Sequence, residues 1–492
     1  MSKIKIPVGF PVKQARVFVL FGAMVTVLAF LPPPMDLLPS VNFFFHRLFG
    51  PSRGSPGKEP PQISAVTEDI TRLEKSIEVI THIAPQKVPA KILVKKLPPV
   101  STGQLQNIPG AKYLANPCLI GSSSGCGRWA LDFFYDSLAQ TTQKKKITRI
   151  GYFGDSIIAL DKVTSFIRTK FQERFGNSGP GFFHMVPIWK WLKHRQIALH
   201  GREWETETML FPKRKQRFYG YGGVLARTIG PGASTTMKIR SGANTAPTRM
   251  VAFYIKNSEG GHFYMNVDGK RLATVNTRGE KGLGSMHEVK FAHGTTFEIE
   301  AGKGGVLLLT GAVLENENPG VVVDSMSLTG GRLIHFSHNN PDHFAHILSQ
   351  RRPDLLIFHF GINEADTGIE PEYEAKVSAF LRGILKRTPG LSCMVAGPSD
   401  KVTKKWGEYK TKQIIHYIIK VQRKIALESG CAFFNTWEAM GGEASIVKWY
   451  EHRPRLAIGD LTHITNAGGD LLGSVIYLEL MKGYVHFMES RP

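Results

Sequence analysis

The sequence predicts an α/β chain in which a doubly wound parallel sheet is interrupted by an inserted β-sandwich. Three observations predict it. Short apolar runs alternate with stretches of helical periodicity over about 147–175 and again over 355–486, the rhythm of parallel strands joined by helices. Between about 203 and 320 that rhythm stops. Runs such as MVAFYI, HFYMNV and GVLLLTGAVL follow one another there between Gly, Asn and Asp turns, which reads as a sandwich. Lastly, 492 residues exceed what one core organises but suit two or three folded units with linkers.

Apolar residues make up 42% and charged residues 21% of the chain, a globular balance. With 62 Lys+Arg against 40 Asp+Glu the net charge is +22. That excess admits an anionic partner: nucleic acid, an anionic lipid surface or an acidic polymer. The N-terminus narrows the choice. Lys3, Lys5, Lys13 and Arg16 precede an apolar run over 17–31, and no acid occurs before Asp36, the pattern of an export signal. As a helix the run is roughly 22 Å long at ~1.5 Å per residue, short against ~30 Å of hydrocarbon. No small-x-small cleavage site stands out near 29–34, so residues 1–34 read as a signal anchor, with a cleaved signal peptide as the alternative. Positive flanks stay inside, which places the rest of the chain outside the cytoplasm and removes nucleic acid from the partners.

Residues 35–109 form a Pro-rich tether with a short helix in which Ile70, Leu73, Ile77 and Ile80 repeat behind a Thr67 cap. Residues 110–200 hold the first part of the α/β domain, 201–320 the sandwich and 321–492 the second part. The expected elements are a strand over 147–153, a helix over 163–175 and a strand over 355–360. A helix over 371–387, a strand over 392–396, a helix over 411–428, a strand over 431–435 and a helix over 466–486 follow. Cys118 and Cys126, eight apart in a Gly/Ser loop, suit a small disulfide. Cys393 and Cys431 sit in apolar strand-like runs and read as buried thiols, with a bridge as the alternative. No cysteine pairing suggests a metal site, and no cofactor motif is present.

Three segments fall at strand ends, where such sheets place their sites. In Gly154-Asp155-Ser156 a serine at a strand-to-helix turn presents its hydroxyl as a nucleophile and its N–H as an oxyanion donor; a plain helix N-cap is the bland alternative. In Gly361-Ile362-Asn363-Glu364 the Asn363 amide is placed to meet a developing oxyanion, or is an ordinary turn residue. In Asp460-Leu461-Thr462-His463 the spacing lets Asp460 orient an imidazole that takes the Ser156 proton. Taken singly each motif is weak; the ordered set of three is not.

That set resembles the SGNH/GDSL hydrolase superfamily. FGDSI matches its first block, FGINEAD its third and GDLTHITNAGG its last, over roughly 145–190 and 320–485. The resemblance implies a flavodoxin-like catalytic fold and a serine esterase with Ser156, His463 and Asp460 as triad, its oxyanion hole built from Ser156, Asn363 and a glycine. In compact members the glycine block follows the first block closely, which would point to Gly222 or Gly223. PGVVVDSMSLTGGRL instead looks like the glycine block of insert-bearing members similar to bacterial peptidoglycan O-acetylesterases, giving Gly330, with Gly331 as the alternative. FQERFGNSGPGFFH echoes the same relatives.

With the N-terminal pattern indicating a periplasmic protein anchored to the inner membrane of a bacterium, the resemblance implies an enzyme acting on O-acyl (above all O-acetyl) esters of an envelope glycan. It implies no cofactor and no metal. An O-acyltransferase using the same triad and a non-catalytic wall-binding protein using the β insert are the alternatives. Phe182, Phe183, Trp189 and Trp191, set among Lys190, Lys193, His194 and Arg195, read as a packed interdomain loop or a sugar-stacking surface. The basic run at 213–217 reads as a solvated face.

Overall fold

The computed structural model describes residues 102–490, apart from 123–124, 145, 213–216 and 229–231. The apolar run at 17–31, the tether with its helix, and most of the basic run at 213–217 lie outside the described residues. No helix among the described residues is long and apolar enough to cross a membrane.

The architecture is mixed α/β. A six-stranded sheet runs in the order Leu114–Ala115, Ala432–Phe434, Ser392–Ala396, Leu355–His359, Ile147–Gly154, Gly320–Ser327. All its pairings are parallel except that of the first edge strand. The buried strands are continuous apolar runs because both faces are covered. Leu355 and Ile357 join one core with helices Asp132–Thr142, Lys162–Phe175 and Asn466–Glu489. Leu356 and Phe358 join the other with Pro341–Arg351, Tyr373–Arg387 and Gln413–Ser429. From Ile147–Gly154 the chain goes to Gly320–Ser327 on one side and then to Leu355–His359 on the other, so the order reverses here. The crevice above such a reversal is where open α/β sheets hold their sites.

Two antiparallel sheets of six and five strands are built from the chain between Phe175 and Gly320. Met250, Ala252 and Leu314 of the first share a buried cluster with Met237, Phe263, Met265, Phe297 and Ile299 of the second. The alternate residues Val251 and Phe253 belong instead to a core of the parallel sheet, the period-2 alternation of a strand buried on both faces. Antiparallel pairing starts earlier than the sequence suggested. Gly181–Phe183 already pairs with Ala312, Val313 and Leu314, and Ile197–Arg202 with Ser234–Ile239. A three-residue strand and one ending His-Gly-Arg carry too little apolar alternation to be read.

Both cysteine pairs are disulfides, Cys118–Cys126 and Cys393–Cys431. The second corrects the reading of Cys393 and Cys431 as buried thiols. Met394 lies opposite Ala432 in adjacent parallel strands, so the preceding cysteines also lie opposite, with Cα atoms 4.7 Å apart. Strand adjacency of this kind is a tertiary fact that an apolar run does not disclose.

Candidate active site

The strand ends converge on one crevice. Ser327 stands opposite Gly154, and Gly154 opposite His359, so the glycine loop, the Gly-Asp-Ser turn and the Asn363 loop leave the sheet side by side. Asp155, not Ser156, caps the short 3₁₀ turn opening at Ser156: its Oδ1 accepts from the Ile157 N–H at 2.9 Å. The Asp155 N–H donates to His359 O at 3.2 Å, and the Ser327 hydroxyl to Asp155 O at 3.1 Å. Burial pushes the Asp155 carboxyl up to about 8 against the opposing N–H of Ile157. With capping delegated to Asp155, the Ser156 hydroxyl is left for other work.

That work is with His463. Its Nε2 lies 2.9 Å from Ser156 Oγ, and its Nδ1 lies 2.7 Å from Asp460 Oδ2. The other Asp460 oxygen accepts from the N–H groups of Thr462 and His463, both at 2.9 Å, a turn closed through Leu461 at φ 51°. Partial burial pushes the Asp460 carboxyl up, but the N–H and imidazole of His463 and the N–H of Thr462 outweigh it and hold the group below its usual range. An ionised Asp460 fixes the Nδ1-protonated tautomer, leaving Nε2 as the acceptor for the serine proton. The His463 and Asp460 side chains are 40% and 44% exposed, so the crevice is open to water.

The helix that follows is seated by its own sequence. The Thr465 hydroxyl accepts from the Gly468 N–H at 3.1 Å, and a Cβ on Gly469 would come within 2.9 Å of the Lys162 carbonyl carbon. Gly469 therefore lets Asn466–Glu489 approach the helix behind Ser156, while Gly468 packs on Leu456 O. Lys162 closes the same gap, its ammonium donating to Ile464 O at 2.6 Å, one residue past His463.

Asn363 donates through Nδ2 to Gly331 O at 2.8 Å, and a primary amide keeps a second N–H for another acceptor. Gly361 must be glycine. Its φ is 139°, and a Cβ would meet the Pro398 ring at 2.8 Å. The two glycine candidates separate cleanly, since the Gly331 N–H is committed to Leu328 O at 2.6 Å. The N–H groups of Gly330, at φ 80°, and of Ser156 make no hydrogen bond within the described residues. Gly222 and Gly223 lie instead in a turn packed on His184 and Met209.

Sequence reasoning missed the braces. Glu364, fully buried, accepts from the Leu333 N–H at 2.9 Å and the Tyr373 hydroxyl at 3.1 Å, joining the Asn363 loop to the glycine loop. Its proximity to Asn363 was visible, but its burial was not. Burial pushes it up to about 7. An acid raised in this way keeps its proton while the unfolded chain has lost its own, so stability falls as pH rises from the ordinary value near 4.5 to about 7 and then levels. Glu364→Gln removes that titration. Its melting temperature relative to wild type is expected to climb over the same window and flatten above it, as thermal melts across pH would read. A pH-independent difference would contradict this.

Asp161 is the other brace. Leu160 and Asp161, at φ 63° and 57°, turn the chain from Ser156 into the next helix. Asp161 accepts from Arg168 at 2.8 and 3.0 Å, from the Thr164 hydroxyl at 2.5 Å and from the Arg195 N–H at 3.0 Å. A cation on the buried face shared with Thr164, Phe171 and Phe175 was the available signal. Of the aromatic segment, Phe182 and Phe183 are core residues. Trp191 is exposed, under the Lys190 ammonium, and its carbonyl accepts from the Leu160 N–H at 2.9 Å.

No protein-family model and no curated protein matches the chain. Among solved structures it is similar to a peptidoglycan O-acetylesterase, with TM-score 0.60 and 22% identity over 72% of this chain and 96% of that one. A salicylyl-acyltransferase from a tetracycline biosynthetic pathway (TM-score 0.26, 13% identity, 60% and 95% covered) is a more distant likeness. So is a family two carbohydrate esterase from Clostridium thermocellum (0.25, 10%, 58% and 97%). The chain shares the fold of that peptidoglycan O-acetylesterase.

Proposed function

We propose that this chain is an exported serine esterase that hydrolyses O-acyl esters, acetyl above all, on a cell-envelope carbohydrate such as peptidoglycan. The observation that carries the reading is the hydrogen-bonded line Asp460–His463–Ser156, with bonds of 2.7 and 2.9 Å, standing beside two uncommitted N–H groups. Ser156 Oγ attacks the ester carbonyl as His463 Nε2 takes its proton. The oxyanion is met by the N–H groups of Ser156 and Gly330 and by the spare N–H of Asn363. His463 then protonates the leaving sugar hydroxyl. A water deprotonated by the same nitrogen releases the acid and restores Ser156. The exposure of His463 and Asp460 favours water over a sugar hydroxyl as acyl acceptor, and so hydrolysis over acyl transfer.

In this reading 110–200 and 321–492 form one catalytic domain, and the two antiparallel sheets between them form an inserted β-sandwich that selects the polymer. Residues 1–34 anchor the enzyme to the inner membrane and 35–109 tether it in the periplasm. The test is acetate release from O-acetylated peptidoglycan. Asn363→Ala is expected to lower kcat by about 10²–10³ with a small change in KM. Full turnover in that variant, or no release by the wild type, would count against the reading.

A further inference from the structure

Beyond Ser392–Ala396 the chain leaves the sheet on the same edge as the Asn363 loop, passes Pro398 against Gly361, and projects as a hairpin, Val402–Lys405 paired with Glu408–Thr411. Its root is rigid. Buried Asp400 accepts from the Thr411 hydroxyl at 2.7 Å and the Ile446 N–H at 3.0 Å, and the Lys412 N–H donates to Lys401 O at 2.8 Å. The ammonium groups of Lys401 and Lys412 both reach Asp366, at 2.6 and 3.4 Å, three residues past Asn363.

The tip is the reverse of its root. Residues 403–410 are all exposed, and Trp406 is 94% exposed. Trp406 and Gly407 form the two-residue turn with φ 55° and 87°. Such a position favours Gly, Asn or Asp, and a bulky side chain there is an outlier. Trp406 carries that cost without burying its ring. Around it stand Lys404, Lys405 and Lys410 against Glu408, a tip charge of 3 − 1 = +2, while Lys401 and Lys412 at the root are held by Asp366. Strained, exposed and aromatic together mark a binding position rather than a folding one.

We propose that this hairpin is a glycan-binding arm of the site: Trp406 stacks on a sugar ring of an anionic polymer while Lys404, Lys405 and Lys410 draw its carboxylates. The inference rests on the reading of the substrate as an envelope glycan and names its charge. An arm rooted three residues from Asn363 keeps any polymer it holds at high local concentration over Ser156. An anionic membrane could engage the same side chains. The shared edge favours the polymer, because the triad has to reach an ester on whatever the arm holds.

The test is co-sedimentation of the full chain carrying Ser156→Ala with insoluble peptidoglycan, whose peptide carboxylates are anionic. Trp406→Asn, suited to the left-handed turn, and the pair Lys404→Glu with Lys405→Glu are each expected to raise the apparent Kd about 10-fold or more. Melting temperatures should match the parent, and salt should weaken binding of the parent more than that of the charge-reversed pair. Unchanged binding in both variants overturns the arm, as does a parent that never sediments. Loss of binding to phosphatidylglycerol vesicles with peptidoglycan binding intact makes the hairpin a membrane finger instead. If binding is lost as expected but the native chain releases no acetate, the arm stands and the esterase reading falls.

Discussion

Ser156→Ala is expected to lower acetyl-ester turnover by about 10⁴–10⁶ while leaving the fold intact. The size follows from the chemistry: without Oγ there is no nucleophile, and what survives is the attack of water on an ester held by the remaining oxyanion donors. The intact fold follows from the local structure. Asp155 supplies the cap of the 3₁₀ turn, so the hydroxyl deleted from Ser156 has one partner, His463 Nε2. Paired measurements of acetate release and thermal melting check both halves. A large drop in melting temperature would mean that Ser156 serves the fold, and retained turnover would remove it from the chemistry.

Arg168→Met is expected to be the most damaging single change to stability, at about 3–5 kcal/mol, the usual cost of stranding one member of a buried ion pair. Arg168 and Asp161 have side-chain exposures of 1% and 0%, so solvent screening gives no relief. Burial pushes the Asp161 carboxyl up, but Arg168 and His194 outweigh it and hold the group far below the usual carboxylate range. Remove the guanidinium and burial acts unopposed by it. The stranded carboxyl then takes up a proton at mildly acid pH, so the deficit relative to wild type should shrink as pH falls from 7 toward 4. Urea unfolding at several pH values reads this, and adding Asp161→Asn should recover much of the loss. A deficit that ignores both pH and the second substitution would place the damage in packing. Because Leu160 and Asp161 directly follow the Ser156 turn, loss of the brace should also lower turnover.

Much of the parallel-sheet half was legible in the sequence because its signals are local. The runs at 147–153, 355–360 and 392–396 are strands within a residue, and the helices over 371–387 and 466–486 are present with shifts of two or three residues at an end. Ser156, Asn363, Asp460 and His463 were legible as candidates since each sits in a motif at a strand end or helix start. What stayed hidden depends on tertiary neighbours. The Cys393–Cys431 bridge needs strand adjacency, and the bond that commits the Gly331 N–H to Leu328 O needs the folded glycine loop. The burial of Glu364 and the pairing of Arg168 with Asp161 need the packed core. The hairpin at 402–411 was not legible, because its lysines and threonines lack the apolar alternation that marks a strand.

The most direct measurement is intact-mass analysis after treatment with a fluorophosphonate. A serine activated by His463 and Asp460 predicts one adduct per chain on Ser156, abolished in Ser156→Ala and strongly slowed in His463→Ala. An unlabelled wild type, or an adduct that persists in Ser156→Ala, would contradict the assignment of Ser156 as the nucleophile.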